Sequence, residues 1–164
     1  MKLLVMSDSH RNIENMQYAI GQTKPDAVLH LGDHVRDAIR LSKQYPTLSF
    51  QTVIGNCDYP GEGELELFLT FEGVRVFATH GHKYGVKSGL DILVDHAKRR
   101  GANVLLFGHT HRALLRQESG MWVICPGQME RHSRTQAASY GVVEVLNGKA
   151  ECSVELLPSM SRSR

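Results

Sequence analysis

The sequence is short of several things that would place it in a specialised class. Its three cysteines, Cys57, Cys125 and Cys152, are odd in number and show no short-range pairing pattern, which excludes a disulfide framework. Nineteen Lys and Arg against seventeen Asp and Glu leave a charge of +2. No basic excess exists to neutralise a run of phosphates, so no dedicated nucleic-acid-binding surface is expected. No apolar run approaches the ~20 residues that span a bilayer. The opening segment, Met1 to Met6, turns polar at Ser7-Asp8-Ser9-His10 and is too short for a signal peptide. A membrane is therefore not an expected partner, and the cytoplasm is the expected location. Repeats and linkers are lacking too. The expectation is one domain over residues 1–157, with 158–164 a frayed, disordered tail.

What is present is a regular succession of short apolar segments. Lys2 to Ser7, Asp26 to Leu31 and Leu48 to Ile54 read as strands. Between them, Asn12 to Thr23 carries Ile13, Met16, Ala19 and Ile20 at helical spacing, and Asp37 to Tyr45 reads as a helix stopped by Pro46. This β-α-β-α-β opening predicts a parallel sheet with crossover helices. Further on, the pattern becomes antiparallel. Leu65 to Phe71 and Val74 to Thr79 flank Glu72-Gly73, Ala113 to Glu118 and Met121 to Cys125 flank Ser119-Gly120, and Tyr140 to Leu146 and Lys149 to Leu157 flank Asn147-Gly148. Two-residue connections of this type predict hairpins. Gly89 to Arg100 predicts a helix with a glycine stop, and Val104 to Phe107 a buried strand.

Nine histidines are the unusual count, and seven of them (10, 30, 34, 80, 82, 109 and 111) lie in or beside short Gly- or Asp-containing punctuations. The strands that read as buried end in polar clusters: Asp8-Ser9-His10, Gly32-Asp33, Gly55-Asn56-Cys57-Asp58, His80-Gly81-His82 and Gly108-His109-Thr110-His111. Sites in open α/β sheets lie beyond the carboxyl ends of strands, so all five can converge on one rim. Each cluster alone reads equally as a turn or a cap. Together they offer carboxylate, imidazole and amide oxygen without a cysteine pair, a donor mix suited to Mn, Fe, Zn or Ni.

The ordered set Asp-x-His, Gly-Asp, Gly-Asn-x-Asp, His, Gly-His-x-His resembles the calcineurin-like metallophosphoesterases, in the branch of small phosphodiesterases often called the YfcE family. The resemblance implies an α/β fold: a four-layer α/β/β/α sandwich of two mixed sheets flanked by helices. It also implies two divalent metal ions, with Asp8, His10 and His111 on one, Asn56, His80 and His109 on the other, and Asp33 between them. Two cations ~3.5–4 Å apart need a shared anion, and together they make a bridging hydroxide that attacks phosphorus in line. Asp58 is expected to orient a ligand such as His80 or to order its own loop.

Many members of the wider family have His where this chain has Cys57. The thiol is a poorer donor to phosphate, or else a small filler, and His82 is a candidate substitute donor. Asp33, Asn56, Cys57, Asp58 and His82 form the expected catalytic set. Arg11 and Arg112, which follow metal motifs directly, are candidates for the substrate's anion along with Cys57. Arg131 and Arg134 read more readily as surface residues. Cys125-Pro126-Gly127-Gln128 departs from the Asn-Pro-Gly-Ser of relatives and is expected to border the site.

The expected function is hydrolysis of a small or nucleotide-like phosphodiester, with manganese the expected ion and Ni²⁺, Fe²⁺ or Zn²⁺ acceptable to the same donors. The alternatives are a protein-interaction scaffold on the same fold with a weak site, as in a related retromer subunit, and a phosphomonoesterase. A homo-oligomer, dimer or tetramer, is implied by the resemblance alone.

Overall fold

The computed structural model describes residues 1–130 and 137–158. Two five-stranded sheets form the centre. The first is built from β1 (Lys2–Met6), β2 (Ala27–His30), β3 (Ser49–Thr52), β9 (Ser139–Leu146) and β10 (Lys149–Leu156), in the order β10-β9-β1-β2-β3. The second holds β4 (Glu66–Phe71), β5 (Val74–Thr79), β6 (Val104–Phe107), β7 (Ala113–Glu118) and β8 (Met121–Pro126), in the order β4-β5-β6-β8-β7. Both are mixed: β1, β2 and β3 run parallel, as do β5, β6 and β8, while the hairpin partners and β9 against β1 are antiparallel.

Strand periodicity divides the apolar side chains into separate layers. Leu3, Val5, Leu29, Val76, Ala78, Val104, Leu106 and Ile124 point into a core between the sheets. Their neighbours Leu4, Met6 and Val28 point outward under α1 (Ile13–Thr23) and α2 (Val35–Gln44), against Met16, Ala19, Ile20, Ala38 and Leu41. On the opposite side Phe77, Leu105, Phe107 and Val123 meet Leu93, Val94 and Ala97 of α3 (Asp91–Arg99). Four layers result, α/β/β/α, because each sheet is apolar on both faces and needs two covers.

All three expected hairpins form, and both residues of each turn have positive φ: Glu72 and Gly73 at 48° and 84°, Ser119 and Gly120 at 51° and 79°, Asn147 and Gly148 at 53° and 73°. That is the type I′ geometry whose twist matches the flanking strands. Boundaries shift in places. Helix α2 starts at Val35 rather than Asp37, because the Asp58 carboxylate accepts the Val35 N–H (2.9 Å) and caps an earlier turn. Strand β3 ends at Thr52, although Val53 still bridges to Glu64. A 3₁₀ turn over His82–Tyr84 was not expected from the pattern. Arg131, Arg134 and the tail from residue 159 lie outside the described residues.

One backbone contact positions everything at the rim. Gly32 follows β2 with φ +97°, and a Cβ there would lie 2.5 Å from the Gly55 nitrogen and 2.9 Å from His80 Nδ1. Only a residue without a side chain lets the loops after β2 and β3 touch while His80 closes from the second sheet. We expect Gly32→Ala to cost about 2–4 kcal/mol in chemical denaturation. By contrast Gly21→Ala, inside α1 with nothing within 4 Å of the new methyl, should stabilise by about 0.5–1 kcal/mol.

Candidate metal centre

The loops after β1, β2, β3, β5 and β6 gather at one rim of the sandwich, as the polar strand ends suggest. The backbone there is unusual. Asp8, His10, Arg11, Asp33, His34, His109 and His111 all have left-handed φ, between 42° and 72°. Asp and His tolerate this region better than most residues, yet each instance still costs on the order of 1 kcal/mol. The surrounding hydrogen bonds offset that cost.

Two sets of donor atoms result. Asp8, His10, Asp33 and His111 form one, and Asp33, His80 and His109 the other, with the donor atoms of each set within 4.8 Å of one another. Asp33 belongs to both. Asp8, Asp33 and His80 are buried. The second oxygen of Asp8, Oδ2, accepts from Ser7 Oγ (2.5 Å) and the His109 N–H (3.2 Å), which leaves Oδ1 turned inward. There it lies 3.0 Å from His111 Nε2, close but without an aligned hydrogen bond. Asp33 Oδ1 accepts the Cys57 N–H at 2.9 Å.

The donor chemistry fits divalent cations. His80 Nδ1 lies 2.7 Å from the Leu31 carbonyl, so Nδ1 carries the proton and donates it. In the neutral ring, Nε2 then presents a lone pair toward Asp33 Oδ1 (3.5 Å) and Asp8 Oδ1 (4.0 Å). His80 Nε2, His10 Nε2 and Asp8 Oδ1 are all buried with no hydrogen-bond partner among the described residues. Lone pairs converging without a proton between them are what a cation relieves, and a ligand histidine that donates its other N–H to a carbonyl is the usual arrangement.

The pKa shifts follow from the same crowding. Burial pushes Asp8 up, but His111, His80 and Ser7 together outweigh it and hold Asp8 below its usual value. His111 is raised, chiefly by Asp8. Burial lowers His109 to about 4 and also lowers His82. Burial, with Asp33 adding to it, pushes the Cys57 thiol up to about 11, so it stays protonated at neutral pH.

The remaining candidates take different places. Of the two roles expected for Asp58, its hydrogen bonds match loop ordering: it accepts from the backbone N–H groups of Asp33 (2.8 Å), Val35 (2.9 Å) and Gly55 (2.8 Å). His80 is instead oriented by Leu31. Asn56 and Cys57 are exposed on the same loop, with the Asn56 amide directed at Cys57 Sγ (3.6 Å). The His82 ring lies 5.4 Å from His80 and 6.1 Å from His109, centroid to centroid. Arg11 and Arg112 are exposed, and Arg11 and His10 line an open groove of about 520 Å³ that continues to Arg40. The loop after Cys125 runs beside the site, where the Met129 N–H reaches the Ser7 carbonyl (3.1 Å). Ser7, Ser9, His30 and Asp37, buried polar residues behind the loops, were not among the expected site residues.

Residues 1–148 match the model of the calcineurin-like phosphoesterase superfamily domain. The chain is 32% identical over 153 residues to a probable metallophosphoesterase, YsnB, of Bacillus subtilis, covering 92% of this chain and 88% of that one. It is 27% identical over 152 residues to phosphodiesterase MJ0936 of Methanocaldococcus jannaschii, covering 78% and 84%. Among solved structures, a predicted phosphoesterase from Streptococcus pneumoniae superposes with a TM-score of 0.78 at 24% identity, over 98% of this chain and 95% of that one. Vps29 of Chaetomium thermophilum does so with 0.74 at 17%, over 96% and 97%.

Asp58→Asn removes the charge that holds three N–H groups and turns an amide donor toward them. We expect a loss of about 2–4 kcal/mol in unfolding and 10-fold or more weaker Mn²⁺ binding by calorimetry.

Proposed function

From the premise that the chain belongs to the calcineurin-like phosphoesterase superfamily, and is thus a metal-dependent phosphoric ester hydrolase, we propose a phosphodiesterase working with two divalent ions. The observation that carries this reading is the pair of donor sets sharing Asp33, with buried acceptor atoms turned inward and unpaired. Asp8, His10 and His111 would hold one ion, His80, His109 and Asn56 the other, and Asp33 both. What such ions supply when bound is Lewis acidity toward phosphoryl oxygens and a water acidic enough to lose its proton near neutral pH. Manganese suits the nitrogen and oxygen donors, as do nickel, iron and zinc.

The protein's own residues set the rest. Asp33, as the shared anion, limits repulsion between neighbouring cations, and Asp58 fixes the backbone that aims it. Arg11 and Arg112, exposed at the edge, would meet the charge of the substrate. Cys57, protonated and beside Asp33, offers only a weak thiol donor to a leaving oxygen, and His82 is the stronger neighbouring donor. Turnover should therefore favour good leaving groups. The small diester substrate follows from the likeness to a named phosphodiesterase and from a chain carrying no basic excess. One domain over residues 1–157, a cytoplasmic location and homo-oligomeric assembly complete the reading.

Release of nitrophenol from bis(p-nitrophenyl) phosphate and from p-nitrophenyl phosphate, on chelator-stripped protein with and without Mn²⁺, tests it. The expected result is metal-dependent cleavage of the diester with the monoester slow, and a loss of at least about 100-fold in Asp33→Asn with the fold retained. Dominant monoester cleavage would make the protein a phosphatase. Silence on both esters with metal bound would favour the scaffold. Cys57→His should speed hydrolysis of esters with poorer leaving groups; equal rates would mark Cys57 as a filler.

A further inference from the structure

Behind the metal-bearing loops lies a buried polar chain that no part of the proposed chemistry uses. His30 ends β2, and the alternation of that strand turns it away from the inter-sheet core toward the layer under α1 and α2. Its Nε2 lies 3.1 Å from Ser9 Oγ, and its Nδ1 accepts the Gly32 N–H at 3.2 Å. Ser9 Oγ lies 2.7 Å from Asp37 Oδ2, and the same carboxylate oxygen accepts the Arg11 N–H at 2.8 Å. Ser9 and His30 are fully buried, and Asp37 nearly so.

The directions of these bonds are fixed by chemistry. A backbone N–H can only donate, so Nδ1 must hold a lone pair, and the neutral ring must carry its proton on Nε2. That proton goes to Ser9 Oγ. The single hydroxyl proton of Ser9 then goes to the carboxylate, the stronger acceptor. Burial, which lowers His30 to about 4, keeps the ring neutral and the chain intact at neutral pH.

We propose that His30, Ser9 and Asp37 form a one-way hydrogen-bond relay that positions His10 and Asp33 for metal binding, with His30 locked as the Nε2–H tautomer. The inference rests on the reading of the rim as a metal centre. Asp37 grips the chain on both sides of His10, through the Ser9 side chain before it and the Arg11 N–H after it. Gly32, which leads into Asp33, is held by His30 Nδ1 at its N–H and by the Asp8 N–H at its carbonyl (3.0 Å). The relay thus ties the β1 loop, the β2 loop and the first turn of α2 into one frame, and it holds left-handed backbone at His10, Arg11 and Asp33. His30, Ser9 and Asp37 are positioning residues, not catalytic ones.

The test compares His30→Gln, His30→Asn and wild type in Mn²⁺ calorimetry on chelator-stripped protein, beside denaturation of the metal-free forms. A glutamine amide reaches the position of Nε2 and can still donate to Ser9, whereas an asparagine oxygen reaches the position of Nδ1 and serves only Gly32. Glutamine should keep Mn²⁺ affinity within about 3-fold, and asparagine should weaken it by 10-fold or more. Equal affinity in the two variants, whatever their stability, would overturn the proposal, since a merely structural histidine would move stability alone. Long-range ¹H–¹⁵N spectra of wild-type imidazoles, read without metal between pH 6 and 8, should show His30 as the neutral Nε2–H form. The opposite tautomer or an imidazolium would also overturn it. If wild type takes up no Mn²⁺, the metal reading fails by itself. The relay is then judged by that spectrum and by whether Ser9→Ala shifts the Asp33 and Arg11 amide resonances, with unmoved resonances counting against it.

Discussion

Two carboxylates withdrawn from water, Asp8 and Asp33, crowd around the Nε2 side of His80, whose Nδ1 is turned to the Leu31 carbonyl, and the rest of the rim is organised around that crowding. Like charges in a dry pocket repel, and the Nδ1 proton of His80, committed to the Leu31 carbonyl, reaches neither carboxylate. The outward oxygen of Asp8 is satisfied by Ser7 and the His109 amide, while its inward oxygen has no aligned donor, with His111 Nε2 beside it at 3.0 Å. A protein that only needed these residues as structure could have placed a proton donor between them. This one supplies backbone strain and buried hydrogen bonds to hold the deficit open.

The fold delivers the geometry through strand ends. Parallel strands in both sheets terminate at the same rim, so short loops from β1, β2, β5 and β6 meet although their residues are up to about a hundred positions apart. The loops of the first sheet are kept in place by carboxylates: Asp58 for the loops after β2 and β3, Asp37 for the loop after β1. Both sit near the start of α2, where the helix's own free N–H groups favour negative charge. The same helix terminus therefore supports two walls of the pocket.

Much of this was legible in the sequence, for reasons that differ by element. The hairpins are written locally in Glu72-Gly73, Ser119-Gly120 and Asn147-Gly148, and the polar clusters after apolar strands mark the rim. The sandwich itself is not local: nothing in the pattern of β1 says that its partners are β2 and β9, and only the family resemblance pointed to two facing sheets. Helix α2 begins early because a residue 23 positions away caps it, which no window along the chain can reveal. His30 stands beside Gly32-Asp33 in sequence, yet strand parity sends it to the opposite face from the donors. Asp37 reads as an ordinary helix residue, since its partners come from another loop. Parity was the available signal for His30; for Asp37 there was none.

The ownership of the six Asp and His donors has a consequence for how the protein matures. Asp8, His10 and Asp33 hang from the first sheet, His80, His109 and His111 from the second, so each sheet alone holds half a cradle. The first sheet is itself incomplete until β9 and β10, the last strands among the described residues, have paired beside β1. A complete donor set therefore exists only once strands far apart in the chain have met, and pairings of that kind form slowly. A half-folded chain would offer a cation only part of the cradle, and the finished fold the whole of it.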